Sequence, residues 1–294
     1  MSPDADRRLL AWAIGLLGGF MVVEVVVALL SGSLALLADA GHMLADVGAL
    51  LGALWAISLA ARPAYGRWTF GWKRAEILSA AVNGITLLVV GGIVAVEAVR
   101  RLAGSPEVDA GPMLAVAILG CAINLLASWL LARANRSSLN MEGAYQHVLS
   151  DLYGFAGTLV AAVVILATGW AKADAVASLV VVALMAYAAV RLLRDSGKIL
   201  LEAAPDHVDI DDVRAHLLAL DAVIEVHDLH IWTLTSDLPA LSAHLTVEDG
   251  CFLSGEAPRL LDQVQACLVG HFDLEHSTFQ LEPAAHAAHE TGTH

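Results

Sequence analysis

Charge is scarce in this 294-residue chain: 16% of its residues are Asp, Glu, Lys or Arg, against about a quarter in a soluble domain. Basic residues are scarcest toward the C-terminus, where residues 203–294 hold two Lys+Arg against 16 Asp+Glu. A surface that acidic repels phosphate and attracts cations, which excludes nucleic acid as a partner. Cysteine is nearly missing too. Cys121, Cys251 and Cys267 form no C-x-x-C and are odd in number, which argues against a disulfide framework and for small buried apolar residues in a reducing compartment. Histidine is almost absent from the first 202 residues: ten of the 12 lie beyond them, and only His42 and His147 lie within.

What the chain has in excess is apolar surface, 58% of its residues. Its first 202 residues carry 14 Lys+Arg and 14 Asp+Glu, so the whole net charge of -14 lies in the remainder. That asymmetry predicts a membrane domain over 1–202 and an acidic α+β domain over 203–283. A tail over 284–294 contains "HAAHETGTH", shows no packing pattern, and is expected to be disordered. Six apolar stretches approach the roughly 20 residues a span requires, at 9–30, 33–60, 75–99, 112–133, 139–166 and 171–193. The first is longer than a signal-peptide core and has no clear cleavage site, so it reads as a span. With both termini in the cytosol, inner segments hold eleven Lys+Arg and outer segments three, the bias the positive-inside rule demands. The basic loop "RPAYGRWTFGWKR" (62–74) is then an inner anchor, the alternative being that Arg67, Lys73 and Arg74 pair with Asp195 or Glu202 near the domain junction.

Beyond residue 205 the pattern is α-β-β-α-β. Helical spacing marks 209–220 and 256–272, and β-branched or alternating runs mark 222–234, 240–248 and 276–282. This predicts a small layer fold with helices on one face of a sheet.

Each of the two early histidines opens an H-x-x-x-D: His42 with Asp46 in "GHMLAD", and His147 with Asp151 in "HVLSD". Residues four apart share a helix face. Two such helices facing each other would bring two imidazoles and two carboxylates together, a tetrahedral N/O set of the kind Zn²⁺ prefers. Each His lies about 13 Å into its span, one from each side, because the halves of the chain have an odd number of spans and enter inverted. An ionisable group in a span costs roughly 2.5–3.5 kcal/mol, which makes it functional by default. Asp39, three residues before His42, is either an outer-shell partner orienting that imidazole or a helix-start cap. Glu24, Asn83 and Asn124 are further polar residues along the path, with an interhelical hydrogen bond the commoner role for Asn. Ligating His must be neutral and carboxylates ionised, so protons and metal compete for the set.

These motifs resemble the cation diffusion facilitator family, close to its bacterial zinc-exporting branch. The similarity rests on "SLALLADAGHMLADVGALL", "FGWKRAEILSAAVNG", "HVLSDLYGFAGTLVAAVVI", "SGKILLEAAP" and "VHDLHIWTLTSDLPALSAHL", which cover most of the chain between 10 and 282. The resemblance implies a homodimeric metal/proton antiporter, not an enzyme, in the cytoplasmic membrane, with six spans and a metallochaperone-like cytosolic domain. It assigns His42, Asp46, His147 and Asp151 to the transport site and Zn²⁺ to the cargo, with Cd²⁺, Co²⁺, Mn²⁺ or Fe²⁺ as alternatives. It also makes His227, His244 and Glu282 candidate regulatory zinc ligands, with Gln280 close by. The loops show departures: "ANRSSLN" has no His, and 62–74 has no His or acid, so no second membrane-side metal site is expected there. Strand alternation would put His227 and His230 on opposite faces, with His230 and Trp232 packed. Two readings of another class explain less. An intramembrane metalloenzyme needs a general base and an open position that neither motif supplies, and a haem carrier on His42 and His147 leaves both Asp unexplained.

Overall fold

Six long helices account for the apolar part of the chain: α1 (Pro3–Ser31), α2 (Leu34–Ala60), α3 (Ala75–Ala103), α4 (Ala110–Leu131), α5 (Leu139–Thr168) and α6 (Ala173–Leu200). The structure is a computed structural model that describes residues 3–31, 34–104, 110–236, 238–274 and 276–287. Among the described residues, Ala75–Ala103, Met113–Leu131, Leu139–Thr168 and Ala173–Leu200 are long and apolar enough to cross a membrane, and Asp46–Ala60 is a shorter apolar helix. The chain divides into two units, Met1–Gly197 and Lys198–His294.

In the first unit, α1, α2, α4 and α5 share a core that buries Leu10, Leu50, Leu131, Met141 and Val148. α3 and α6 meet through Leu87, Met185 and Ala189. Lipid tails are as apolar as leucine, so close packing rather than the hydrophobic effect holds such helices together. Gly120 shows how close: a Cβ there would stand 2.3 Å from Phe155 Cδ1, so the aromatic ring of α5 lies directly on the α4 backbone. Along α3, Val82, Ile85, Val89, Ile93 and Val96 form an exposed apolar stripe at helical spacing, the surface hydrocarbon would cover.

Two helices outrun their expected ends by a full turn or more. α3 reaches Ala103 rather than 99, and α6 reaches Leu200 rather than 193. Pairs one turn apart support these extensions: Arg101 Nε donates to Glu97 Oε1 at 3.1 Å, and Arg191 lies 3.9 Å from Asp195. Arg101 also donates to Asp174 at 3.2 Å, tying the end of α3 to the start of α6. Gly169, at φ 73°, closes α5 in the left-handed conformation a side chain would disfavour.

The second unit runs α7 (Ile210–Leu218), β1 (Val223–Thr235), β2 (Leu238–Val247), α8 (Asp249–Leu253), α9 (Ala257–Phe272), β3 (His276–Pro283) and α10 (Ala284–Ala287). Asp209 caps α7 by accepting from the Asp211 and Asp212 N–H groups. β1 and β2 pair antiparallel, and β3 returns parallel to β2 after the α8–α9 crossover. Val213 and Leu217 of α7, and Leu260, Val264 and Leu268 of α9, pack with Val226, Ile231, Leu241 and Leu245 of the sheet. α8 and α10 are additions to the expected order. Residues 284–287 are helical, so the tail expected to be disordered from 284 starts with an ordered turn; 288–294 lie outside the described residues.

One strand expectation is overturned. His227 pairs with His244 and His230 with Ser242, so three steps on β1 match two on β2. The extra residue is taken up at a bulge where Asp228 has φ 44°. Cross-strand partners share a face, so His227 and His230 lie on the same side of the sheet. His230 is exposed rather than packed; Trp232 is partly buried.

Candidate metal centre

α2 and α5 carry the two H-x-x-x-D motifs, and the structure brings Asp46, His147 and Asp151 together. One ligand atom from each lies within 4.8 Å of the others. His147 Nε2 lies 3.2 Å from Asp46 Oδ1. Ligand atoms about 2.0–2.1 Å from a tetrahedral ion stand about 3.3 Å apart, so this pair already has the length of one tetrahedral edge. Asp46 is 8% exposed and His147 3%. His42 lies one turn before Asp46 on α2, and Asp39 one turn further; the side chains of both, and of Glu24, lie outside the described residues.

A cavity of about 230 Å³ opens beside the cluster, with wall residues from all six long helices. Asp46 and Asp151 reach its wall together with Asn124, Ser150, Thr158 and Ser178, so the carboxylates open onto a cavity whose remaining wall, from Leu17 to Met185, is mainly apolar. Asn124 donates to Gly120 O at 3.1 Å, one turn back on its own helix, and its buried Oδ1 has no hydrogen bond. The expected interhelical bond is therefore not what Asn124 makes. Asn83 is buried where α3 meets Gly143 of α5.

Asn140 is the residue that the sequence reading passed over. Its Nδ2 donates to Ala53 O at 2.9 Å, joining α5 to α2. Asn140 lies seven residues before His147, and Ala53 seven after Asp46, so the two contacts sit two turns apart on antiparallel helices. The seven-residue interval, which keeps a residue on one helix face, was the available signal.

A second cluster lies on the sheet of the other unit. His227, His244 and Glu282 also offer ligand atoms within 4.8 Å of one another. Glu282 Oε1 lies 2.8 Å from His244 Nδ1 and accepts from Gln280 Nε2 at 2.9 Å. Its Oε2 stands 3.7 Å from His227 Nε2 and is buried without a hydrogen bond. At 1% exposure, a carboxylate oxygen in that condition is costly unless a cation or donor meets it. The bulge at Asp228 is what leaves His227 on the face of His244 and Glu282 while Ile231 returns to the core.

Residues 10–201 match the cation efflux transmembrane domain, and residues 205–284 the cation efflux protein cytoplasmic domain. The zinc transporter ZitB of Escherichia coli (strain K12) is 42% identical over 284 residues, 96% of this chain and 89% of that protein. The cadmium, cobalt and zinc/H(+)-K(+) antiporter of Bacillus subtilis (strain 168) is 37% identical over 287 residues, 97% of this chain and 92% of that protein. The metal cation efflux system protein CzcD of Cupriavidus metallidurans is 38% identical over 282 residues, 96% and 88% of the two chains.

Proposed function

The chain belongs to the cation efflux family, and on that premise we propose that it exports Zn²⁺ from the cytosol in exchange for protons. It is an integral membrane transporter. The observation that carries the zinc reading is the juxtaposition of Asp46, His147 and Asp151 across α2 and α5. His42, one turn before Asp46 on α2, supplies the fourth donor. Mixed imidazole and carboxylate ligands suit Zn²⁺ and also admit Cd²⁺ or Co²⁺, and the names of the two relatives at 42% and 37% identity include zinc.

The ligands also supply the coupling. Metal binds the neutral imidazole and ionised carboxylates, and protons reaching the same atoms expel it. A four-donor set leaves no position for a reacting water, which favours carriage over catalysis. In this reading residues 1–202 form the transport domain, 203–283 a cytosolic regulatory and dimerisation domain, and 284–294 a His-containing tail. The protein works as a homodimer in the cytoplasmic membrane with both termini inside. His227, His244 and Glu282 would hold a regulatory Zn²⁺, and the buried, unbonded Glu282 Oε2 fits that role.

The test is metal flux in vesicles with an imposed pH gradient, comparing Zn²⁺, Cd²⁺, Mn²⁺ and Fe²⁺ for the parent and Asp46→Ala. Zinc flux that collapses in the variant is expected. Equal zinc flux in both would remove Asp46 from the site, and manganese flux without zinc flux would overturn the cargo.

A further inference from the structure

The connection between α2 and α3 has a built structure of its own. Tyr65 and Trp68 exchange backbone hydrogen bonds at 3.3 and 3.1 Å, closing a tight reversal through Gly66 at φ 58°. Gly71, at φ 67°, donates to Trp68 O at 2.9 Å, and a Cβ there would come within 3.1 Å of Arg62 O. The Trp68 and Trp72 rings stack with centroids 4.0 Å apart. Here Tyr65 is 87% exposed, Trp68 52% and Phe70 48%.

Charge runs one way along the same segment. Arg62, Arg67, Lys73 and Arg74 lie within thirteen residues, and no Asp or Glu occurs between Asp46 and Glu76. Both ends of the loop continue into apolar helix, Asp46–Ala60 before it and Ala75–Ala103 after it. Chain connectivity therefore holds it at the boundary between hydrocarbon and water. Tyr and Trp rings settle at headgroup depth, and Lys and Arg beside them are drawn to anionic lipid.

We propose that residues 61–74 form a binding site for anionic phospholipid headgroups. Tyr65 and Trp68 seat among the headgroups, and Arg62, Arg67 and Lys73 gather lipid phosphates around the rigid reversal. The loop's complementarity is to a negative surface containing apolar matter, which a phospholipid leaflet provides and a free phosphate ion does not. The site is independent of which metal the protein carries.

The experiment uses the full chain in phosphatidylcholine vesicles doped with either brominated phosphatidylcholine or brominated phosphatidylglycerol. Subtracting the fluorescence of W68F/W72F isolates the two loop tryptophans. Brominated phosphatidylglycerol is expected to quench them about threefold or more beyond brominated phosphatidylcholine, as each cation contributes about fivefold to anionic affinity. R62Q/R67Q/K73Q should bring the ratio to about one, with metal flux retained. Phosphatidylglycerol that copurifies with the parent, read by native mass spectrometry, should fall in the same triple variant. Loop tryptophans quenched by neither lipid would mean the segment faces water or an acidic protein surface and would overturn the proposal. So would equal quenching by the two lipids, or a preference that survives the triple substitution.

Discussion

Replacing Asn140 with alanine removes one hydrogen bond and leaves every proposed metal ligand in place. The bond from Asn140 Nδ2 to Ala53 O is 2.9 Å long and lies two turns from the His147–Asp46 contact, about 10.5 Å along the helices. Interhelical side-chain bonds in membranes contribute about 0.6 to 1.7 kcal/mol. If that energy holds α2 and α5 at ligand distance, its loss weakens zinc binding by about 3- to 18-fold. Competition against a fluorescent zinc indicator on the purified full chain measures this directly. Asn140→Ser, which keeps a shorter donor, should fall between parent and alanine. An unchanged zinc affinity in a fully helical Asn140→Ala protein would refute the idea that this bond sets the spacing of the cluster.

Three further outcomes follow from contacts elsewhere. Gly120→Ala puts a methyl 2.3 Å from Phe155 Cδ1, and the ring must move in the wall of the cavity. Overpacking of about 1–3 kcal/mol is expected, seen as slower zinc flux and a lower melting temperature, with partial recovery in Gly120→Ala/Phe155→Leu. With zinc at a hundredfold excess over Kd, the second unit should gain about 2.7 kcal/mol of stability, read as slowed hydrogen exchange in β1, β2 and β3 of the full chain. Glu282→Gln should abolish that gain, and its persistence would remove Glu282 from the regulatory site. Burial, helped by Glu256 and Glu248, pushes the Cys251 thiol up, and burial pushes up Cys267 as well. Both therefore hold less thiolate than an ordinary cysteine near pH 8, and alkylation should rise steeply only above the usual thiol range. Fast alkylation of Cys251 at neutral pH would contradict its packed environment.

The membrane cluster was legible in the sequence because lipid makes ionisable residues expensive. Only two histidines occur in the apolar part, each with an Asp one turn on, and helical periodicity fixed the shared face. Asn140 lacked that visibility: an amide is cheap enough in a span to mean many things, and only the 2.9 Å bond to Ala53 shows its role. The seating of Phe155 on Gly120 depends on how α4 meets α5, which neither helix states alone. In the sheet, alternation failed at a single residue. Period-two reasoning assumes an unbroken ladder, and Asp228 breaks it, moving His230 to the face where His227 already stands. The helix continuing to Leu200 was hidden for a related reason, since charged residues end a hydropathic span without ending a helix that their own pairs support.

The His147–Asp46 contact spans 101 residues of chain. A ribosome feeding this protein into the bilayer thus inserts α2 long before α5 exists. During that interval Asp46 has neither His147 nor Asp151 beside it, and the growing protein carries only one side of the proposed donor set. The three residues become neighbours only when α5 packs beside α2, so the proposed donor set is completed late in the making of the membrane unit. On the proposed reading, a product truncated before α5 would hold no zinc at this position.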